Sequence, residues 1–480
     1  MIFSSFRFLL FFPIVLALYY ASRNVSWRKW FLLTASYVFY ASWDWRFVFL
    51  LFGCTLLDFT TGAMISRNNV LWKRRAWLTL SVVGNVSSIA YFKYSNFFIE
   101  SFRDLMLALG VPVNMHLLNV VLPVGISFYN FETMTYAIDI YRKKLEPTKS
   151  FLDFALFVSF FPHLVAGPII RAAELLPQLR RVPSANWDDL VTGVNRFGIG
   201  FLKKVLVADA LAPYVDRIFA DPGAYDGLTL WCASIGFAMQ CYCDFAGYTD
   251  MAIGCARFMG FWLPENFRWP FLAHNVADFW RRWHITLYSF MRDYLYHSLG
   301  GSRVGQVRQI FNAMVTMTLV GLWHGAAWPF VIWGVYNGVL IVGYRFLAMG
   351  LERLPRAKAF LASLPGAILC IATTNVLFFL SFTLFRSEGS LGTALGTAWR
   401  MITLDGAGLR APDPWVLVAY AIVLLCSVGC ELRWGERLLE RLPSRGPLSV
   451  PVQAFCYVVL ILVLVLFSQH DTQAFVYFQF

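Results

Sequence analysis

The sequence predicts an all-α polytopic membrane protein, and three observations carry that reading. Of 480 residues, 58% are hydrophobic types and only 14% are charged, against about 25% in an ordinary soluble domain. Mean hydropathy is +0.58. The apolar residues fall in a long series of runs, and the basic residues collect in short stretches between them. Together these exclude an ordinary soluble globule, a disordered chain, a coiled coil and a small secreted scaffold. The net charge of +12, from 40 Lys+Arg against 28 Asp+Glu, reads as loop anchoring to a lipid bilayer and not as a nucleic-acid surface. Aromatics at 18% suit the lipid–headgroup boundary. The nine cysteines include no CxxC pair, so neither a disulfide framework nor a zinc site is expected.

The first run, Phe6–Tyr20, contains only Arg7 and Pro13 as interruptions. No polar, small-residue cleavage site follows it, and it is read as a retained helix. The next runs are near Trp30–Ser42, Phe47–Ala63 and Trp77–Tyr91, followed by 118–140, 151–169, 194–212, 228–256, 309–327, 328–348, 361–384, 412–430 and 450–468. Some are too short or too glycine-rich for simple spans, so about eleven crossings with re-entrant or interfacial pieces are expected. Alternate loops are basic: Arg23/Arg28/Lys29, Arg67/Lys73–Arg75, Arg142–Lys144, Arg345/Arg353/Arg356/Lys358 and Arg433/Arg437/Arg441/Arg445. Those loops are assigned to the cytoplasm, with both ends of the chain outside. Residues 141–210 and 257–308 are the least lipid-like. No internal repeat is visible, which counts against an inverted-repeat transporter.

Ionisable side chains inside apolar runs are costly and mark a bundle interior or a cavity. His324 follows Gly321-Leu322-Trp323 and precedes Gly325 in an apolar run. It reads either as a catalytic base, since a neutral imidazole accepts a proton near pH 7, or as a core histidine bonded across the bundle. Gly321 and Gly325 leave a smooth face for a substrate or another helix. His284 ends Asp278-Phe279-Trp280-Arg281-Arg282-Trp283-His284. Asp278 and Arg282 are spaced to pair on a helix. Interfacial anchoring by Arg and Trp is one reading; a tunnel mouth, with Arg281 and Arg282 attracting donor phosphates, is the other.

Further polar residues have weaker claims. Phe161-Pro162-His163 with Ala166-Gly167-Pro168 breaks a helix twice, as a kink or a chamber wall. Gly300-Gly301 marks a turn after a short helix and lacks the spacing of a phosphate loop. Asp244 and Asp250 are spaced for ion coupling or for pairing with Arg257 or Lys203/Lys204. Cys241 and Cys243 have no activating neighbour in sequence. His274, Glu132 and Asn375 are buried-polar or loop candidates without an assigned role.

These motifs, in this order, resemble the membrane-bound O-acyltransferase (MBOAT) family, in its bacterial polysaccharide and alginate O-acetyltransferase branch. The resemblance rests on Tyr91–Tyr94, Leu122–Phe128, the Phe161–Pro168 segment, Asp278–Leu287, Arg292–Tyr296 with Leu299–Gly301, Gly321–Gly325 and the ending Phe475–Phe480. It runs the length of the chain. It implies a single domain over 1–480: N-terminal helices in 1–140, a catalytic core with re-entrant elements in 141–345, and C-terminal helices in 346–480. These would form a ring of helices around a central tunnel. It further implies that His324 is the catalytic histidine and His284 the second characteristic position, steadying the thioester carbonyl or orienting the donor.

The same resemblance implies acetyl-CoA as acyl donor on the cytoplasmic side, met by Arg281, Arg282, Lys203 and Lys204, with no metal. The acetyl group would leave across the bacterial inner membrane for an exported polysaccharide: alginate, cellulose or a related polymer. Implied partners are a periplasmic or membrane-tethered esterase-like acetyltransferase and a polysaccharide synthase or export complex. Peptidoglycan acetylation and D-alanylation of teichoic acid are neighbouring activities. The rival of a different class is a transporter or channel using a buried His/Asp relay.

Overall fold

The computed structural model describes residues 1–387 and 390–431. The predicted run 450–468, the last basic loop, His470 and the ending Phe475–Phe480 lie outside the described residues. The described chain is helical, with one isolated bridge between Tyr225 and Leu409. It divides into two compact units, one formed by Met1–Ile199 with Tyr248–Pro264, the other by Gly200–Gly247 with the described residues from Glu265 onward.

The first unit holds α1 (Phe6–Tyr20), α2 (Val25–Ala41), α3 (Arg46–Arg67), α4 (Leu71–Ile89), α5 (Ser95–Ala108), α6 (Ile126–Tyr141), α7 (Phe151–Ser159), α8 (Phe161–Leu164), α9 (Ala172–Arg181) and most of α10 (Trp187–Leu202). The first span has the predicted bounds. Helix α2 starts a turn earlier than predicted, because Asn24 caps it through Trp27 N–H (3.1 Å) and Arg28 lies over the Tyr19 and Tyr20 rings. Phe3, Phe8, Phe39 and Phe161 cluster in the core. Helices α3, α4 and α6 are tied by a buried polar chain: Ser81 and Asn85 donate to Asp58, and Thr133 donates to Asn85 (3.2 Å). Such bonds hold helices together where apolar burial gives no preference between lipid and protein.

The predicted run 118–140 is helical only from Ile126. Gly125 precedes it at φ +76, and a Cβ there would sit 2.7 Å from the Leu164 carbonyl oxygen. The run 151–169 breaks at Phe160, as Pro162 and Pro168 required.

The second unit holds α11 (Asp209–Ala220), the first part of α12 (Gly227–Phe258), α13 (Val276–Arg282), α14 (Ile285–Phe290), α15 (Gln306–His324), α16 (Trp328–Leu351), α17 (Pro355–Ala362), α18 (Leu364–Phe385), α19 (Leu391–Thr403) and α20 (Pro414–Glu431). Helices α15 and α16 form an antiparallel hairpin. A Cβ on Gly321 would lie 2.2 Å from the Phe330 carbonyl oxygen, and one on Gly334 would lie 2.4 Å from that of Met317. The smooth face made by Gly321 is therefore filled by a helix, not by substrate. Trp333 donates to Ser381 (3.2 Å) and Tyr336 to the Leu377 carbonyl (2.9 Å), so α18 runs antiparallel to α16.

One end of this three-helix layer thus carries the 325–327 turn and Phe385. The other carries the start of α15, the end of α16 and the basic residues Arg353, Arg356 and Lys358. Four described helices, α3, α16, α18 and α20, are long and apolar enough to cross a membrane. The expected count of about eleven is not reached by that measure. Broken and short helices such as α7, α8, α13 and α14 take up part of the apolar sequence.

Candidate active site

The site in the second unit is built on the α13–α14 corner. His284 caps α14 with φ +45 and ψ 54, in the left-handed region that a residue with a Cβ rarely adopts. Two backbone bonds hold the strained turn: Arg268 N–H to the Arg282 carbonyl and Ile285 N–H to the Asn266 carbonyl, both 2.8 Å. The Asn266 side chain completes the clamp. Its Oδ1 accepts from Thr286 N–H (3.3 Å), Thr286 Oγ1 (2.9 Å) and His284 Nδ1 (3.1 Å).

The Thr286 amide can only donate, so the oxygen of the Asn266 amide must face this corner. His284 Nδ1 therefore carries the proton, and Nε2 carries the lone pair. The ring is 1% exposed and packs edge-on against Phe245 at 4.7 Å between centroids. Burial lowers its pKa to about 3, which keeps it neutral. A neutral ring with its proton on Nδ1 accepts at Nε2. It has no proton there to give a carbonyl oxygen.

His284 lines a chamber of about 440 Å³. Leu287, Met291, Met317 and Val320 form apolar walls. Arg281, Arg292 and His297 provide the polar ones. The chamber extends along α15 toward Ser302, in a turn pinned to the start of that helix by Asn312 and Gln309. Gly300 and Gly301, at φ +109 and +59, make that turn. Its lining on α15 spans Ala313 to Val320, about 10 Å along the helix axis, on the side of Val320 that faces the basic end of the layer.

His324 is not in that chamber. It sits one turn farther, about 6 Å, and lines a separate cavity of about 10 Å³ with Cys241, Trp280, Trp333 and Phe385 among its walls. That is room for about one water. The Trp323, Trp333 and Phe385 rings surround the imidazole at 4.8, 5.1 and 5.1 Å between centroids. An open tunnel reaching His324 was expected; in this conformation the two cavities are separate, and Trp280 lines both. The indole N–H of Trp280 is buried and makes no hydrogen bond among the described residues. The Trp323 ring also lies between the two histidines, 5.7 Å from His284.

The predicted donor-binding cations separate into two groups. Arg281 is exposed and on the chamber. Arg282 is not among the chamber residues. It pairs with Asp278 (3.0 Å), as the i,i+4 spacing predicted, and with Glu431 (3.7 Å). Lys204 is 3% exposed and bridges Asp209 (2.8 Å) and Asp244 (2.9 Å). Lys203 lies over the Tyr242 ring at 5.8 Å. Neither lysine lines the chamber, whereas Arg292, not singled out for this role from sequence, does.

Asn375 donates to the Phe271 carbonyl and to Tyr420, a structural role. His274 is exposed, with its backbone N–H on Asp278. In the first unit Asp250 pairs with Arg196 (2.8 Å) and Arg257 with Asp189 (3.1 Å). The two orphan candidates Glu132 and His163 meet there at 3.1 Å, with His163 Nε2 donating to the Phe157 carbonyl and Ile170 N–H to Glu132.

Sequence reading did not single out Asn266 or the indole N–H of Trp280. Asn266 lies 18 residues before His284 in an irregular loop, and only the folded turn brings it to the ring.

Residues 140–362 match the family described as MBOAT, membrane-bound O-acyltransferase family. The chain is 40% identical over 407 residues to a probable alginate O-acetylase, AlgI, of Azotobacter vinelandii, covering 84% of this chain and 77% of that protein. It is 40% identical over 403 residues to the Pseudomonas aeruginosa protein of the same name, covering 84% and 74%. A peptidoglycan O-acetyltransferase of Helicobacter pylori is 33% identical over 414 residues, covering 81% and 76%. The two histidines and the chamber fall within the family match, and the chain belongs to the membrane-bound O-acyltransferase family as an integral membrane O-acyltransferase.

Proposed function

We propose that the protein moves an acetyl group from acetyl-CoA, entering on the cytoplasmic side, to a hydroxyl of an exported polysaccharide or its relay protein across the bacterial inner membrane. The observation that carries this is the pair of histidines flanking Trp280 and Trp323. One lines a chamber on the side facing the basic end of the helix layer, and the other lies a turn farther toward the opposite end. A mostly apolar chamber with two arginines suits a pantetheine arm ending in phosphates, and loop charge assigns the basic end to the cytoplasm. Alginate or a related polymer is the acceptor that the more similar relatives favour.

In this reading His284 orients the donor. Its Nε2 accepts from an amide N–H or hydroxyl of the pantetheine arm. The alternative of steadying the thioester carbonyl lacks a proton on Nε2. That task goes to Trp280, whose indole N–H has no other partner and which borders both cavities. Movement of the Trp280 ring would join the chamber to the His324 cage. His324 then takes the proton of the acceptor hydroxyl as its oxygen attacks the thioester carbonyl carbon. The surrounding aromatic faces stabilise the imidazolium as it forms. The C–S bond breaks, the new ester leaves with the acceptor, and the imidazolium returns its proton to the departing thiolate. The apolar walls keep water from the thioester.

A periplasmic esterase-like partner and a polysaccharide export complex fit this reading as the consumers of the acetyl group. Incubation of the purified protein with acetyl-CoA and a saccharide acceptor, following free CoA thiol, tests it. Acceptor-dependent thiol release is expected. Solute flux through vesicles with no thioester cleavage would instead establish a transporter.

A further inference from the structure

A second cavity, of about 230 Å³, lies in the same unit where α11, α18 and α19 meet. Arg386, Thr383, Ser387, Thr393 and Thr397 line it. Thr393 and Thr397, with Ser390, fall on one face of α19 at the spacing of successive turns. Arg386 directly follows Phe385, the ring against His324. The cavity therefore lies at the end of the helix layer opposite the basic residues Arg353, Arg356 and Lys358. It lies at the same end of the layer as the cage but around α18 from it: Thr383 is on a different face of that helix from the cage residues Phe378, Phe382 and Phe385.

The hydrogen bonding of this lining selects a ligand chemistry. Four of the five hydroxyl protons of the lining are spent inside the protein: Thr383 on the Leu380 carbonyl (2.9 Å), Ser387 on Leu384 (3.2 Å), Thr397 on Thr393 (2.8 Å) and Thr393 on the Ser390 oxygen (2.9 Å), while Ser390 Oγ accepts from Thr393 and keeps its own proton. What the oxygens with spent protons present outward is lone pairs. Arg386 is paired with Asp216, and its Nε–H is buried away from the cavity, without a hydrogen-bond partner among the described residues. An anionic ligand would meet mostly acceptors and a guanidinium already neutralised by a carboxylate. A ligand carrying many hydroxyls, each able to donate to a threonine or serine oxygen and to accept from the Ser390 hydroxyl, meets both parts of the lining.

We propose that this cavity binds a sugar ring of the acceptor through its hydroxyl groups, on the His324 side of the site. This rests on the acyltransferase reading above for its purpose, though the binding itself does not need the donor. The probes are cellotetraose, which is neutral, and a tetramannuronate, which carries one carboxylate per ring. Binding of each to the full-length protein in detergent is measured by calorimetry without acetyl-CoA. Donor consumption is measured separately, as thioester hydrolysis in water.

Both tetrasaccharides are expected to bind with affinities within about threefold of each other. The double substitution Thr393→Val/Thr397→Val, which keeps side-chain volume, is expected to weaken both at least about tenfold and leave donor hydrolysis unchanged. Arg386→Gln is the second variant, with thermal melting confirming that each is folded. No binding by the unsubstituted protein, binding of the uronate alone, or unaltered binding by folded variants would each overturn the proposal. Binding that behaves as expected in a protein that never cleaves acetyl-CoA would instead retire the acyltransferase reading and leave the sugar site standing.

Discussion

At the scale of single residues, the chemistry turns on which nitrogen of which ring holds a proton. The backbone amide of Thr286 decides this for His284 by fixing the Asn266 oxygen, and in the proposed reaction that leaves the thioester carbonyl in need of another donor. In the proposed mechanism that donor is the buried indole N–H of Trp280, a residue that lines both cavities. Trp280→Phe keeps the ring and removes the donor. It is expected to lower kcat by about 10²-fold with KM for acetyl-CoA changed less than about threefold, because an interaction made to developing charge acts on the transition state. Steady-state kinetics in detergent measure both, and an unchanged kcat would remove Trp280 from the mechanism. The positions of His284 and His324 were legible in the sequence as polar residues where apolar ones were expected. Asn266 was not, since no spacing rule links a loop amide to a ring 18 residues later. Lys204 looked like a free cation for phosphates because the sequence does not reveal that Asp209 and Asp244 close over it. A buried lysine held by two carboxylates organises helices instead.

At the scale of elements, glycine placement positions the cage. Gly321 and Gly334 bring α15 and α16 close enough that a Cβ on either would enter the other helix's backbone contact distance. This closeness puts His324 against Trp333. Gly321→Val is expected to cost about 1–3 kcal/mol or more through overpacking, lowering the melting temperature and donor turnover together. Gly343→Ala, on α16 with nothing within 4 Å of the added carbon, is the matched control and should melt at or above the parent temperature. Equal melting of the two variants would show that the hairpin tolerates separation. The sequence carried the Gly321–Gly325 spacing but left open whether a substrate or a helix used it. Helix existence was mostly readable from apolar runs. Helix ends were less so where a charged residue such as Arg28 finds aromatic faces, or where a glycine at positive φ delays the start, as at Gly125. The breaks at Phe160 and at His284 follow prolines and a clamped turn respectively, and only the first has a signature in sequence.

At the scale of the whole molecule, composition alone excluded a soluble fold, and motif order pointed to the family that the relatives establish. Within the second unit the two ends of the helix layer differ in chemistry. Two arginines line the chamber on the side facing the basic loop, and threonine and serine oxygens line the cavity at the other end. A donor bearing phosphates and an acceptor bearing hydroxyls fit those ends respectively, with His324 between. The comparison that bears most directly on this arrangement is the transfer of labelled acetyl from acetyl-CoA to acceptor by the protein reconstituted in vesicles, run side by side with His324→Ala. The account predicts that the substitution lowers transfer by about 10²–10⁴-fold in protein that melts normally and still binds acetyl-CoA. Transfer at the unsubstituted rate, with loss only in a His284 variant, would move the base to the chamber side and contradict the account.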